Sequence, residues 1–191
     1  MSGIQTISGV SDLIGPGRLV LVVGPSGAGK DTLIRLAQEA CSGDASIVFP
    51  RRVVTREAST FENNEAVTPS QFGQMLARGE FAFQWEAHGL RYGVPRSLVD
   101  DIRAGRSVVI NVSRIIIDSA RRSYANVVAV LVTAPRDTLA RRLAERGRTS
   151  DGEIDGRLRR AVVSAMPDVV IDNIGTAPAA AGKLIDAIKG V

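Results

Sequence analysis

The sequence predicts an α/β fold, a parallel sheet flanked by helices, and three observations predict it. Continuous apolar runs recur at Arg18–Val23, Ser107–Val112 and Asn126–Thr133, the pattern of strands covered on both faces. Helix-type segments stand between and after these runs, the alternation that builds a parallel sheet. A glycine-rich turn leads straight from the first run into a helix at Lys30.

Each element follows from its local chemistry. Leu19, Val20, Leu21, Val22 and Val23 make the first strand apolar on both sides, and the helix after the turn runs from about Lys30 to Ala40. Val169–Asp172 reads as a shorter, fourth strand. Pro135 opens a helix that carries Asp137 in its first turn and reaches about Arg146, since proline suits a first helical position and acidic groups favour the N-terminal dipole. Ser150 and Glu153 form a capping box for the next helix, to about Ala165. Pro178–Lys189 is the last helix. Arg51–Pro95 breaks the rhythm, with a polar loop, a short helix opened by Thr68-Pro69-Ser70-Gln71, and strand-like segments at Phe81–Trp85 and Gly89–Gly93. It reads as an insertion in one domain spanning residues 1–191.

Composition narrows the function classes. With 191 residues and 45% apolar content the chain suits one domain with a substantial core. Its longest clean apolar stretch, Val127–Val132, falls far short of the roughly 18 residues of a membrane span. Nothing before Arg18 resembles a secretion signal, and the single cysteine, Cys41, excludes an internal disulfide. A cytoplasmic protein without a membrane partner is expected; its oligomeric state is not legible. The net charge is +4, and of 24 basic residues only Lys30, Lys183 and Lys189 are lysine. Aromatics are 4% and no basic helix is interleaved with them, so nucleic acid is not the expected partner. Scattered arginines suit small phosphorylated molecules, because guanidinium forks onto phosphate oxygens.

The motif that carries chemistry is Gly24-Pro25-Ser26-Gly27-Ala28-Gly29-Lys30-Asp31-Thr32. It nearly matches G-x-x-x-x-G-K-[ST], between a buried strand and a helix. Glycines let successive backbone N–H groups turn inward to phosphate oxygens. The helix start adds its positive dipole end, and Lys30 reaches the β- and γ-phosphates of ATP. Lys30 is also the only lysine in the first 182 residues. The fold expected from this loop is a P-loop NTPase-like three-layer one. Asp31 stands where the pattern has a hydroxyl that ligates Mg²⁺. A carboxylate is itself a hard-oxygen ligand, so Asp31 is the expected metal residue and Mg²⁺, as Mg·ATP, the expected cofactor.

These residues resemble the guanylate-kinase-like branch of the nucleoside monophosphate kinases, from about Arg18 to the end. Thr55-Arg56 sits where that family carries the Thr-Arg of its phosphate-binding segment. Phe83-Gln84-Trp85-Glu86 through Tyr92-Gly93 is similar to its base-recognition region, and Arg142-Leu143-Ala144-Glu145-Arg146-Gly147 with Arg157-Leu158 to its lid. The resemblance implies a core of about 16–50, 97–140 and 161–191, an acceptor-binding insertion of about 51–96 and a lid of about 141–160. The departures are consistent with one another. Gln84 replaces a guanine-reading Glu, Val94-Pro95 follows Tyr92-Gly93 in place of Ser or Thr, and Asn111 and Ser113 stand where an acidic pair ends a strand. Arg51, Arg52, Arg91, Arg96 and Arg114 crowd the acceptor side. That combination, with Gly-Lys-Asp-Thr, is similar to the ribose 1,5-bisphosphate phosphokinase family of phosphonate breakdown. The resemblance implies transfer from ATP to a sugar bisphosphate, ribose 1,5-bisphosphate, giving 5-phosphoribosyl 1-diphosphate (PRPP) and ADP.

The nucleophile would then be a phosphate oxygen already ionised at neutral pH, and no general base is needed. Catalysis reduces to positioning and charge neutralisation. Lys30, Arg142 and Arg146 are the expected catalytic residues, with Arg148 nearby; Arg142 and Arg146 are four apart and share a helix face, which a solvated basic face would also explain. Arg146 and Asp172 join the loop in binding ATP, Asp172-Asn173 where relatives contact adenine. The acceptor is expected to meet Arg52, Arg56, Gln84, His88, Arg91, Tyr92, Arg96 and Arg157, with Arg56 foremost. A loop histidine such as His88 is as readily incidental, and Trp85 reads as core. Three other functions compete: guanylate kinase activity, a sugar-hydroxyl kinase, which would want a carboxylate base, and a non-catalytic binding module, which would not need the loop's glycines and lysine.

Overall fold

A computed structural model describes residues 13–56, 64–146 and 166–191. Among these, β1 is Arg18–Val23, β2 Ile47–Val48, β3 Arg52–Val54, β4 Asn64–Ala66, β5 Phe81–Ala87, β6 Leu90–Pro95, β7 Ser107–Asn111, β8 Val127–Thr133 and β9 Val169–Asp172. The helices are α1 Lys30–Ala40, α2 Pro69–Ala77, α3 Leu98–Arg103, α4 Ile117–Ser123, α5 Arg136–Arg146 and α6 Ala177–Lys189, with a 3₁₀ turn at Arg114–Ile116.

The apolar runs form a parallel five-stranded sheet in the order β2-β7-β1-β8-β9. Alternation along β1 divides the core into two layers. Leu19, Leu21 and Val23 pack with Leu98 and Ile102 of α3 and Ile117 and Ala120 of α4. Val20 and Val22 pack on the other face with Leu33 and Ala37 of α1 and Leu184 and Ile188 of α6. The chain leaves β1 with β7 on one side and β8 on the other. Ligands of open parallel sheets bind at such a switch point, outside the carboxyl ends of the strands, and the glycine-rich turn stands there.

The interrupting stretch makes a second sheet, in the order β4-β3-β6-β5. Its antiparallel β5–β6 pair places Trp85 opposite Tyr92 and Gln84 opposite Gly93. One face lies on the first core layer through Phe83, Trp85 and Val94. α2 serves the other face: its Phe72 ring stacks on Phe81, centroids 4.7 Å apart. Helix α2 starts at a full capping box, with the Thr68 hydroxyl accepting from the Gln71 N–H and the Gln71 side chain accepting from the Thr68 N–H.

The predicted strands of the parallel sheet and the helices α1, α5 and α6 occur within a residue of their expected ends, with β7 stopping at Asn111 and β8 starting at Val127; β5 and β6 run two residues past theirs, to Ala87 and Pro95. The short elements β2, α3 and α4 are too brief to show a periodicity. The helix expected from Ser150 to Ala165 lies outside the described residues.

Candidate active site

The phosphate loop is shaped by glycines that no other residue replaces without strain. Gly29 has φ 90°, and a Cβ there would meet Asn173 Nδ2 at 2.5 Å. Gly24 has φ 146°, and a Cβ would meet the Val132 carbonyl oxygen at 2.0 Å. Between them the Ala28 N–H donates to the Pro25 carbonyl at 3.3 Å. Gly29 caps α1 without a side chain, so the first-turn N–H groups and the helix dipole face the loop. Lys30 Nζ lies back across the loop, donating to the Gly24 and Pro25 carbonyls at 2.9 Å each.

Two distant segments brace this loop. Asn173, 4% exposed just past β9, donates from Nδ2 to the Ala28 carbonyl at 2.8 Å. Its own N–H donates to the Thr133 carbonyl at 2.8 Å, tying the loop to β8. Arg142 of α5 donates to the Gly27 carbonyl at 3.4 Å and to the Asn173 carbonyl at 3.2 Å. It therefore bridges α5 and the phosphate loop. Asp172 ends β9 with an exposed side chain beside this brace. Arg146 ends α5 and its side chain is outside what is described; Arg148 and Arg157 also lie outside the described residues.

Asp31 sits in the first turn of α1, and two contacts among the described residues fall on its Oδ1. Asn111 Nδ2, at the end of β7, donates to it at 2.8 Å. Arg52 Nη2, from β3 of the second sheet, stands 3.7 Å away. That approach is electrostatic, beyond hydrogen-bond reach. Arg52 is 9% exposed, donates from Nε to Asn64 Oδ1 at 3.2 Å, and lies 5.8 Å from the centre of the Tyr92 ring. Tyr92 stacks on Trp85, centroids 5.3 Å apart and nearly parallel. Lys30, Asp31, Arg52 and Tyr92 thus form one connected region. Arg56 is half-buried at the bend after β3, two residues beyond Val54.

Four further residues expected on the acceptor side lie on the β5–β6 hairpin or just past it. Arg91 follows the strand alternation onto the face opposite Tyr92. Its guanidinium lies 4.8 Å from the Phe72 ring and its Nε 3.4 Å from Glu86 Oε1. Gln84 shares that outer face and is exposed. His88 forms the β5–β6 hairpin tip with Gly89, at φ 58° and 72°, the two positive angles of a type I′ turn. Arg96 is exposed past the end of β6, where its N–H donates to the Glu80 carbonyl at 2.7 Å. Trp85 is core, as expected.

Three contributors were not assigned from sequence: Asn111, Asn64 and the brace made by Asn173. The available signal was chemical: Asn111 is a polar residue closing a buried strand, and it is 7% exposed. It was matched only to a missing acid.

Residues 20–161 match the family described as AAA domain. The chain is 58% identical to a ribose 1,5-bisphosphate phosphokinase PhnN of Rhodopseudomonas palustris, over 99% of this chain and 97% of that one. It is 55% identical to the protein of the same name from Bradyrhizobium diazoefficiens, over 99% and 97%. A guanylate kinase structure from Anaplasma phagocytophilum superposes with a TM-score of 0.68 at 21% identity, covering 94% of this chain and 88% of that one; this likeness is one of fold.

Proposed function

The chain belongs to the ribose 1,5-bisphosphate phosphokinase family, and from that premise we propose that it transfers the γ-phosphoryl group of ATP to ribose 1,5-bisphosphate, giving PRPP and ADP. One observation of the site carries the choice of acceptor: the second sheet sends a buried guanidinium, Arg52, to within 3.7 Å of the phosphate-loop carboxylate. A cation between the two sheets suits an acceptor rich in phosphate. The Gln84 position, where a base-reading group would stand, carries an exposed neutral amide.

Donor binding falls to Gly24–Thr32. Loop N–H groups and the α1 terminus hold the phosphates, and Lys30 leaves its carbonyl partners to meet the β- and γ-oxygens. Arg142, already on the Gly27 carbonyl, neutralises charge on the group in transfer, with Arg146 beside it on α5. The second sheet, with Arg52, Arg56 and Tyr92, holds the acceptor phosphate in line; most of the lid expected at about 141–160 lies outside the described residues. No side chain takes a proton, because the attacking oxygen is already ionised.

The donor set fits Mg²⁺. Asp31 supplies a hard carboxylate at the helix start, and the Asn111 amide donates to its Oδ1 at 2.8 Å. When bound, the cation neutralises β- and γ-phosphate oxygens. Among the described residues no cluster of three His, Cys, Asp or Glu offers a rival all-protein site. No helix among them is long and apolar enough to cross a membrane, and we infer a cytoplasmic enzyme of small-molecule substrates.

A coupled ADP-release assay across ribose 1,5-bisphosphate, GMP and other nucleoside monophosphates tests this. Selective turnover of the sugar bisphosphate is expected. Stronger turnover of GMP would replace the proposal with guanylate kinase activity, and no Mg·ATP affinity at all would favour a binding module.

A further inference from the structure

P-loop enzymes commonly hold their cation with a hydroxyl on the loop and an aspartate at the end of a neighbouring strand. Here both positions are altered together. The loop position is Asp31, and the adjacent strand β7 ends in Asn111. The two side chains touch, with Asn111 Nδ2 donating to Asp31 Oδ1 at 2.8 Å. The carboxylate is thus on the loop, and its neutral hydrogen-bonding partner on the strand.

We propose that Asn111 is the positioning residue for Asp31, and that the pair is a transposed metal-holding pair in which acid and neutral partner have exchanged sides. This rests on the reading of Asp31 as the Mg²⁺ ligand. Both members stand on rigid ground. Asn111 is 7% exposed and pairs in register with Val22 of β1, and the next N–H, of Val112, donates to the Val22 carbonyl at 3.1 Å. Asp31 belongs to α1, which is anchored by Leu33 and Ala37 in the core. The bond length is therefore set by the packing of helix against sheet.

The amide also settles a competition. Arg52 approaches the same Oδ1 at 3.7 Å. An ion pair made there draws the carboxylate toward the second sheet. The Asn111 bond is shorter and holds it at the loop. An aspartate at 111 opposite Asp31 would place two carboxylates in contact, and one of them would retain a proton. Asparagine keeps the pair at a single negative charge while donating the hydrogen bond.

The test measures Mn²⁺ affinity by electron paramagnetic resonance, in the presence of a non-hydrolysable ATP analogue, for wild type, Asp31→Asn, Asn111→Ala and the double variant Asp31→Asn with Asn111→Asp. Nucleotide affinity is measured separately in excess chelator. Asn111→Ala is expected to weaken Mn²⁺ binding about 10–100-fold, the usual effect of losing a residue that orients a metal ligand, with metal-free nucleotide affinity unchanged. The double variant is expected to regain most of what Asp31→Asn loses, because it restores one carboxylate and one amide in contact. Equal losses of metal and metal-free nucleotide binding in Asn111→Ala would overturn the proposal, since they signal general damage to the loop. So would a double variant no better than Asp31→Asn. If Asp31→Asn itself leaves Mn²⁺ affinity intact, the assignment of Asp31 fails first and takes this proposal with it. If Asp31→Asn weakens it and Asn111→Ala does not, only the present proposal fails.

Discussion

Lys30 and Asp31 are adjacent in the chain and were both legible there, but for unequal reasons. Lys30 follows from a motif whose demands are local. Its replacement by methionine is expected to lower kcat about 10²–10³-fold, the scale of losing one preorganised charge donor; steady-state kinetics with unchanged kcat would contradict its role. Asn173 is a different case. Its amide satisfies the Ala28 carbonyl and lies against Gly29. Asn173→Ala is expected to cost about 1–3 kcal/mol, the usual cost of a buried polar group left unpaired, and to raise the KM for ATP more than it lowers kcat. Denaturant melts together with kinetics check both parts. The sequence reading placed Asp172-Asn173 by resemblance where relatives contact adenine; the bond to the loop was not legible, because its partner is 145 positions away.

Elements show where a pattern in the chain misplaces a side chain. The hairpin β5–β6 was visible as two segments around His88-Gly89, yet its faces were not assigned. Period-two alternation puts Tyr92 beside Arg52 and turns Arg91 toward α2. Arg52→Ala is therefore expected to raise the acceptor KM at least about tenfold, in line with loss of a charge-assisted contact. Arg91→Ala is expected to leave that KM unchanged and to lower stability by about 0.5–1 kcal/mol, the worth of a partly exposed cation–π contact. Paired kinetics and thermal melts of the two variants separate the faces; a KM effect in Arg91→Ala alone would reverse them. His88→Gly is expected to retain the acceptor KM and at least the wild-type Tm, because glycine adopts φ 58° without strain. By contrast, the start of α2 at Thr68-Pro69 was legible, although the capping box that Thr68 closes with Gln71 was not named from the sequence.

At the scale of the whole molecule the site belongs to neither sheet alone. The phosphate loop leaves the parallel sheet at its switch point, and the second sheet rests on the same core layer and reaches Asp31 through Arg52. The proposed donor and acceptor residues therefore meet where the two sheets adjoin. With an acceptor oxygen that ionises near pH 6 and no protein base, kcat/KM for the acceptor is expected to rise through about that pH and then stay flat to pH 9 or so. A bell-shaped profile in that range would reveal a general base and contradict the mechanism.

The sequence by itself determined the strands of the parallel sheet, the glycine-rich loop between the first strand and helix, and the positions of the long helices. Each of these depends on neighbours a few residues apart, on a period of two or on a short motif. Only the tertiary structure decided which arginine of the second sheet faces the loop, and that Asn111, 80 positions from Asp31, completes its carboxylate. Those contacts depend on how a helix and two sheets pack together, and no local spacing in the chain encodes the distance between them.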